Sequence, residues 1–126
     1  MILDSSVAVE VALGTETGRR AIPQLADELY VPELFFAEVH SVLNKLKTRK
    51  LIHSQAVHAA RKALNSLGLC PLPVHHLEDE LWKLSQGMSA YDAHYVVLAK
   101  ASKTPLATCD RWLTNLNVSG VKFLVI

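Results

Sequence analysis

Four carboxylates stand where this chain changes from one kind of backbone to another: Asp4 just after Ile2-Leu3, Glu38 in an apolar helical stretch, Asp92 opening the most apolar long segment, and Asp110 after Thr104-Pro105-Leu106-Ala107-Thr108-Cys109. Four carboxylates within ~4–5 Å of one another repel by roughly 3–4 kcal/mol per pair at an effective dielectric of about 20, so such a cluster persists only around cations or with some protons retained. Sites built from carboxylate oxygen alone suit hard divalent ions, Mg²⁺ or Mn²⁺, which keep several waters. An ion held in this way polarises a phosphoryl oxygen and lowers the pKa of a bound water. That is the chemistry of phosphodiester hydrolysis.

Helix capping offers a plainer account of each Asp taken singly. Ser89-x-x-Asp92 has the form of a capping box, Asp110 precedes a helical stretch from Arg111, and Asp4 precedes one from Val7. Glu38 breaks the tie. The apolar residues Phe36, Val39, Leu43 and Leu46 recur at helical spacing and place Glu38 about two turns into a helix that Pro32 can open, where a side chain caps nothing.

The elements that must position these acids follow from periodicity and punctuation. Ile2-Leu3 reads as a strand, Val7 to Leu13 as a helix stopped by Gly14, and Gly18 to Glu28 as further helix. Leu29-Tyr30-Val31 is a strand closed by Pro32. After the Glu38 helix comes another from a Ser54 cap to Leu67, then a strand over 69–74 whose two prolines make it short or place it at an edge. His75-His76 lead into a helix ending near Gly87. The Asp92 helix, a strand before Asp110, a short helix from Arg111 to Leu116 and a last strand over 121–126 complete the chain. Short apolar strands alternating with helices call for an α/β sandwich with a mostly parallel central sheet, whose ligands sit outside the strands' carboxyl ends. Asp4, Glu38, Asp92 and Asp110 can all reach that rim.

Bulk properties fit one domain with a real core: 126 residues, half of them hydrophobic, 6% aromatic and 20% charged. No apolar run nears the ~18 residues of a membrane span, and Met1-Ile2-Leu3-Asp4 lacks the basic start and long apolar stretch of a signal peptide, which predicts a cytoplasmic protein. Cys70 and Cys109 read as buried, reduced thiols, and Trp82 and Trp112 as core or dimer-face residues. His75-His76 lack a partner at zinc-ligand spacing. The net charge of +1 conceals an asymmetry, because no acid occurs from Val39 to Leu77 while Lys45, Lys47, Arg49, Lys50, Arg61 and Lys62 do. A basic segment of this kind is the footprint of a polyanion.

Leu3-Asp4-Ser5-Ser6-Val7, Pro32-Glu33-Leu34-x-x-x-Glu38-Val39, Tyr91-Asp92-Ala93-x-Tyr95-Val96-Val97-Leu98-Ala99 and Pro105-Leu106-x-Thr108-x-Asp110-x-x-Leu113, in that order, resemble the motifs of the PIN-domain ribonucleases, specifically the VapC toxins of toxin–antitoxin modules. The resemblance spans nearly the whole chain. It implies a PIN-like three-layer α/β/α sandwich, Mg²⁺- or Mn²⁺-dependent endoribonuclease activity, a homodimer, and inhibition by a cognate VapB-type antitoxin that blocks the acidic site. Carried over by position, Asp4, Glu38, Asp92 and Asp110 would be the metal-binding, catalytic acids, with Ser6 and Thr108 as supporting polar groups. Lys45, Lys47, Arg49 and Lys50 would hold the RNA backbone. Some relatives place a further acid shortly after the last Asp; Thr114 and Asn115 stand there in this chain, so a second ion would be held less tightly. The alternatives are a receiver-like signalling domain, which shares the length and an acidic Mg²⁺ pocket, and a catalytically inactive PIN module that acts only by binding a partner.

Overall fold

In the computed structural model, which describes residues 1–126, the strands β1 (Ile2–Leu3), β2 (Tyr30–Pro32), β3 (Cys70–Leu72), β4 (Leu106–Thr108) and β5 (Phe123–Val125) form one sheet in the order β3-β2-β1-β4-β5. Every neighbouring pair is parallel, so the sheet is wholly rather than mostly parallel. Parallel neighbours cannot be joined by a tight turn, and each connection accordingly carries helix. α1 (Ser5–Leu13) and α2 (Glu16–Ala21) link β1 to β2, and α3 (Phe35–Thr48) and α4 (Ser54–Ser66) link β2 to β3. α5 (Glu78–Ser85) and α6 (Ala90–Ser102) return from β3 to β4, and α7 (Arg111–Asn115) leads into β5.

Right-handed crossovers place the helices of the outward run from β1 to β3 on one face and those of the return on the other. The packing agrees: α1 lies against α2, α3 and α4, while α5 packs on α6, which covers β1, β2 and β4. This is a three-layer α/β/α sandwich. Because both faces of the sheet are covered, the inner strands are apolar without alternation, and Ile2, Leu3, Val31, Leu106 and Ala107 are all fully buried. The run from Tyr95 to Ala99 in α6 is buried with them. A receiver-like domain has the strand order 2-1-3-4-5, so the order found here excludes that alternative.

Several local expectations are corrected. The helix expected over 18–28 stops at Ala21 and gives way to a short 3₁₀ turn, Ile22–Gln24, because Pro23 cannot donate to a continuing α-helix. α3 begins at Phe35, after Pro32 has closed β2, so Glu38 sits in its first turn and not two turns in. Ser54 is the first residue of α4 and not its cap, a position taken by His53. Cys70 is exposed and Cys109 half-buried, and of the two readings of Trp82 and Trp112, core or dimer face, their exposure excludes the core. At the α1–α2 junction a Cβ on Gly18 would stand 2.1 Å from the Glu10 carbonyl oxygen, so only glycine permits this approach.

The two edges of the sheet are unlike. Cys70 donates its N–H inward to the Leu29 carbonyl at 2.9 Å. Alternation then turns the nitrogens of Pro71 and Pro73 outward, and neither carries a hydrogen. On β5 the Lys122 carbonyl and the Ile126 N–H face β4, which leaves the backbone groups of Phe123 and Val125 pointing away from it.

Candidate metal centre

β1 and β4 are adjacent strands whose connections leave in opposite directions, which makes their carboxyl ends the topological switch point of the sheet. Asp4 follows β1 there, only 7% exposed, and caps α1. Its Oδ2 accepts from the Ser6 hydroxyl at 2.7 Å and the Thr108 hydroxyl at 2.5 Å, and its Oδ1 accepts from the Ser6 N–H and Ser5 hydroxyl, both at 3.4 Å. Ser6 Oγ in turn accepts the Cys109 N–H at 3.1 Å, and Thr108 Oγ1 the Asp110 N–H at 3.0 Å. Ser6 and Thr108, expected as supporting polar groups, therefore fasten Asp4 to the end of β4.

Asp110 caps α7 through Oδ1, which accepts the N–H groups of Trp112 at 2.8 Å and Leu113 at 3.2 Å. Its second oxygen makes no protein hydrogen bond. At the start of α6 the Ser89 hydroxyl accepts the Asp92 N–H at 3.0 Å and donates to Asp92 Oδ2 at 2.6 Å, so the capping serine also orients the acid. Glu38 accepts a hydrogen bond from the buried Tyr95 hydroxyl, its one side-chain donor. Capping and site-building are thus the same interactions at Asp4 and Asp110.

The acids sense one another. Burial pushes the Glu38 carboxyl above the ordinary carboxylate range; the Tyr95 bond opposes the rise, and the charges of Asp4 and Asp92 reinforce it. Burial also raises Asp92, against the Ser89 bond and with help from Asp4 and Asp110. Tyr95 is held far above the usual phenol range by burial and by its bond to the Glu38 carboxylate. The chain's one salt bridge joins Lys100 to Glu80, and no cationic side chain pairs with Asp4, Glu38, Asp92 or Asp110.

The rim gathers the four acids without closing them into a coordination group, since no three His, Cys, Asp or Glu side chains stand close enough together to hold a metal ion. Their chemistry nevertheless fits a hard divalent cation: all the donors are oxygens, like charges raise one another, and no Lys or Arg pairs with them, His94 alone opposing the rise at Glu38 from a distance.

An open groove of about 430 Å³ runs beside this rim, lined in part by Ser5, Glu38, Ser41, Lys45 and Tyr91. Of the four basic residues expected to hold RNA, only Lys45 lines it. Lys47, Arg49 and Lys50 lie at the far end of α3 and in the turn beyond. The sequence reading overlooked Tyr95, although a polar tip inside a run of apolar helix needs a partner and so signals one.

The PIN domain family matches residues 1–117, which include all four acids. Ribonuclease VapC9 of Mycobacterium tuberculosis is 31% identical over 126 residues, covering 100% of this chain and 98% of that protein. The chain belongs to the PIN-domain family, with VapC ribonucleases among its relatives. Ribonuclease VapC12 of the same organism is 29% identical over 111 residues, 87% of this chain and 86% of that one. Among solved structures, a toxin–antitoxin complex from Klebsiella pneumoniae superposes with a TM-score of 0.69 at 15% identity, covering 95% of this chain and 93% of that one. Mycobacterium tuberculosis VapC20, a Sarcin-Ricin loop cleaving toxin, gives 0.67 at 18% identity over 96% and 98%. These two likenesses establish the shared PIN fold. No helix of the chain is long and apolar enough to cross a membrane.

Proposed function

We propose that this PIN-domain chain is a metal-dependent endoribonuclease and the toxin half of a toxin–antitoxin pair. The observation that carries the reading is the rim of mutually repelling carboxylates at the switch point, oriented by neutral donors and joined in no salt bridge. Relatives with ribonuclease names over the full length supply the substrate class. Asp4, Glu38, Asp92 and Asp110 would hold Mg²⁺ or Mn²⁺. When bound, such an ion polarises a phosphoryl oxygen and acidifies a water for in-line attack. The chain's own part is placement. Thr108 and Ser6 hold Asp4 against β4, Ser89 holds Asp92, Tyr95 holds Glu38, and the Trp112 and Leu113 amides fix one oxygen of Asp110 while its other oxygen makes no protein bond.

A VapB-type antitoxin covering the acidic rim, and a homodimer, belong to the same proposal. Purified protein is expected to cut RNA with Mn²⁺ or Mg²⁺, and to stop when treated with EDTA or when Asp92 is replaced by Asn. Undiminished cutting by Asp92→Asn would remove this rim from the chemistry. Calorimetry that finds no Mn²⁺ bound to the free protein would favour the inactive binding module instead.

A further inference from the structure

The basic residues of α3 do not form one surface, and how they divide points to a path for the substrate. Glu38, Ser41, Val42 and Lys45 follow at steps of three and four and share one face of the helix, and Arg49 continues that spacing at its C-cap, whereas Lys47, two residues past Lys45, lies on the opposite side. The first face opens on the groove of about 430 Å³ that begins at Glu38. The other borders a separate cleft of about 210 Å³ lined by Phe36, His40 and Arg61, among others. The same groove is lined by Tyr91, the residue before Asp92, with 62% of its surface exposed.

We propose that single-stranded RNA runs along the Glu38–Lys45–Arg49 face of α3, with its backbone phosphates on Lys45 and Arg49 and one base stacked on the Tyr91 ring. The inference rests on the ribonuclease reading and adds the route by which the strand meets the acids. Charge complementarity favours a polyanion. No acid follows Glu38 until after Leu77, and neither Lys45 nor Arg49 is engaged by a carboxylate. An exposed ring and a cation lining one groove is the pattern of sequence-tolerant single-strand sites, where the aromatic takes a base face and the cation a phosphate. The groove volume lies within the range of about 300–1,000 Å³ usual for small-ligand sites, room for a nucleotide unit. A duplex would not suit it, because its bases are not splayed out to reach a ring.

The test measures binding of a fluorescent single-stranded oligoribonucleotide to the full chain in EDTA, so that nothing is cut, over a series of salt concentrations. Tyr91→Ala is expected to weaken binding about fivefold or more, the loss of one stacked base, and Tyr91→Phe to restore it. Lys45→Ala and Arg49→Ala should each flatten the log–log salt dependence by about 0.7, the value for one phosphate contact on a single strand. Lys47→Ala, an identical charge change on the other face, should do neither. Equal losses from Lys47→Ala and Lys45→Ala would reduce the effect to overall charge and overturn the path. Losses confined to Lys47→Ala and Arg61→Ala would move the strand to the other cleft and overturn it as well. Melting temperatures close to that of the unaltered chain show that each variant is folded. If the unaltered chain cuts RNA but ignores the Tyr91 and Lys45 substitutions, only the path fails; if it neither binds nor cuts, the ribonuclease reading fails with it.

Discussion

The two ends of α3 carry opposite charge under opposite regimes. At its first turn Glu38 is part-buried, pushed up in pKa and tied to Tyr95 from another layer of the fold. At its last turn Lys45, Lys47 and Arg49 are exposed and make no side-chain hydrogen bond or ion pair. The difference separates charges that must be placed from charges that need only attract. Placed charges are held by neutral hydroxyls and amides, which orient a carboxylate without cancelling its affinity for a cation. A lysine or arginine in the same role would orient and neutralise at once. Attracting charges gain from remaining free, because an ordered surface ion pair returns little.

This contrast can be broken experimentally, and the largest effects belong at the acidic end. Asp92→Asn keeps the shape and loses the charge, and RNA cleavage with Mn²⁺ should fall beyond the roughly 10–100-fold seen when outer groups around a metal site are lost. Tyr95→Phe should weaken Mn²⁺ binding by about 10–100-fold in calorimetry while circular dichroism stays unchanged. In a Glu38→Gln background the same substitution should have far less effect, because the hydroxyl acts through that carboxylate; an equal loss in both backgrounds would make Tyr95 merely structural.

Stability gives a smaller and opposite signal. Asp92 binds its proton more tightly in the fold than in the unfolded chain, so its contribution is favourable at low pH and is lost as pH rises through the raised value. Without metal, Asp92→Asn should therefore melt a few degrees higher than the unaltered protein near neutral pH, and the gain should vanish on acidification below the ordinary carboxylate range. Scanning calorimetry in EDTA across pH checks both the sign and the trend. At the basic end Lys50→Ala, an exposed change in a turn, should alter folding stability by no more than about 0.5 kcal/mol in urea titration. A larger loss would mean that this end too is tied down.

The alternation of apolar strands and helices sufficed for the α/β class, and the order of the four acids relative to those elements sufficed to put them on one rim, because both are local patterns. The start of α3 was misplaced, since Pro32 can either open a helix or close a strand, and the parallel pairing of β2 with its neighbours decides between them. The Tyr95–Glu38 bond joins residues 57 apart in sequence and depends on α6 packing over β2 while α3 starts just beyond that strand, which no local pattern reports. The basic cluster was visible as composition, yet only the helix phase divided Lys45 and Arg49 from Lys47. Cys70 was misjudged, and the core reading of Trp82 and Trp112 failed, for the same reason: residue type predicts burial on average, whereas edge position and helix face set it for a particular side chain.

The unlike edges of the sheet bear on how copies of this chain can associate. An added strand needs donors as well as acceptors along the edge it joins, and β3 turns the Pro71 nitrogen, with that of Pro73 just past it, toward any newcomer. Growth from that side is blocked, while β5 keeps its backbone groups free for one pairing event. Two copies that met through β5 would use up both open edges and present only the proline-bearing ones. A sheet extended in that way would end at a pair.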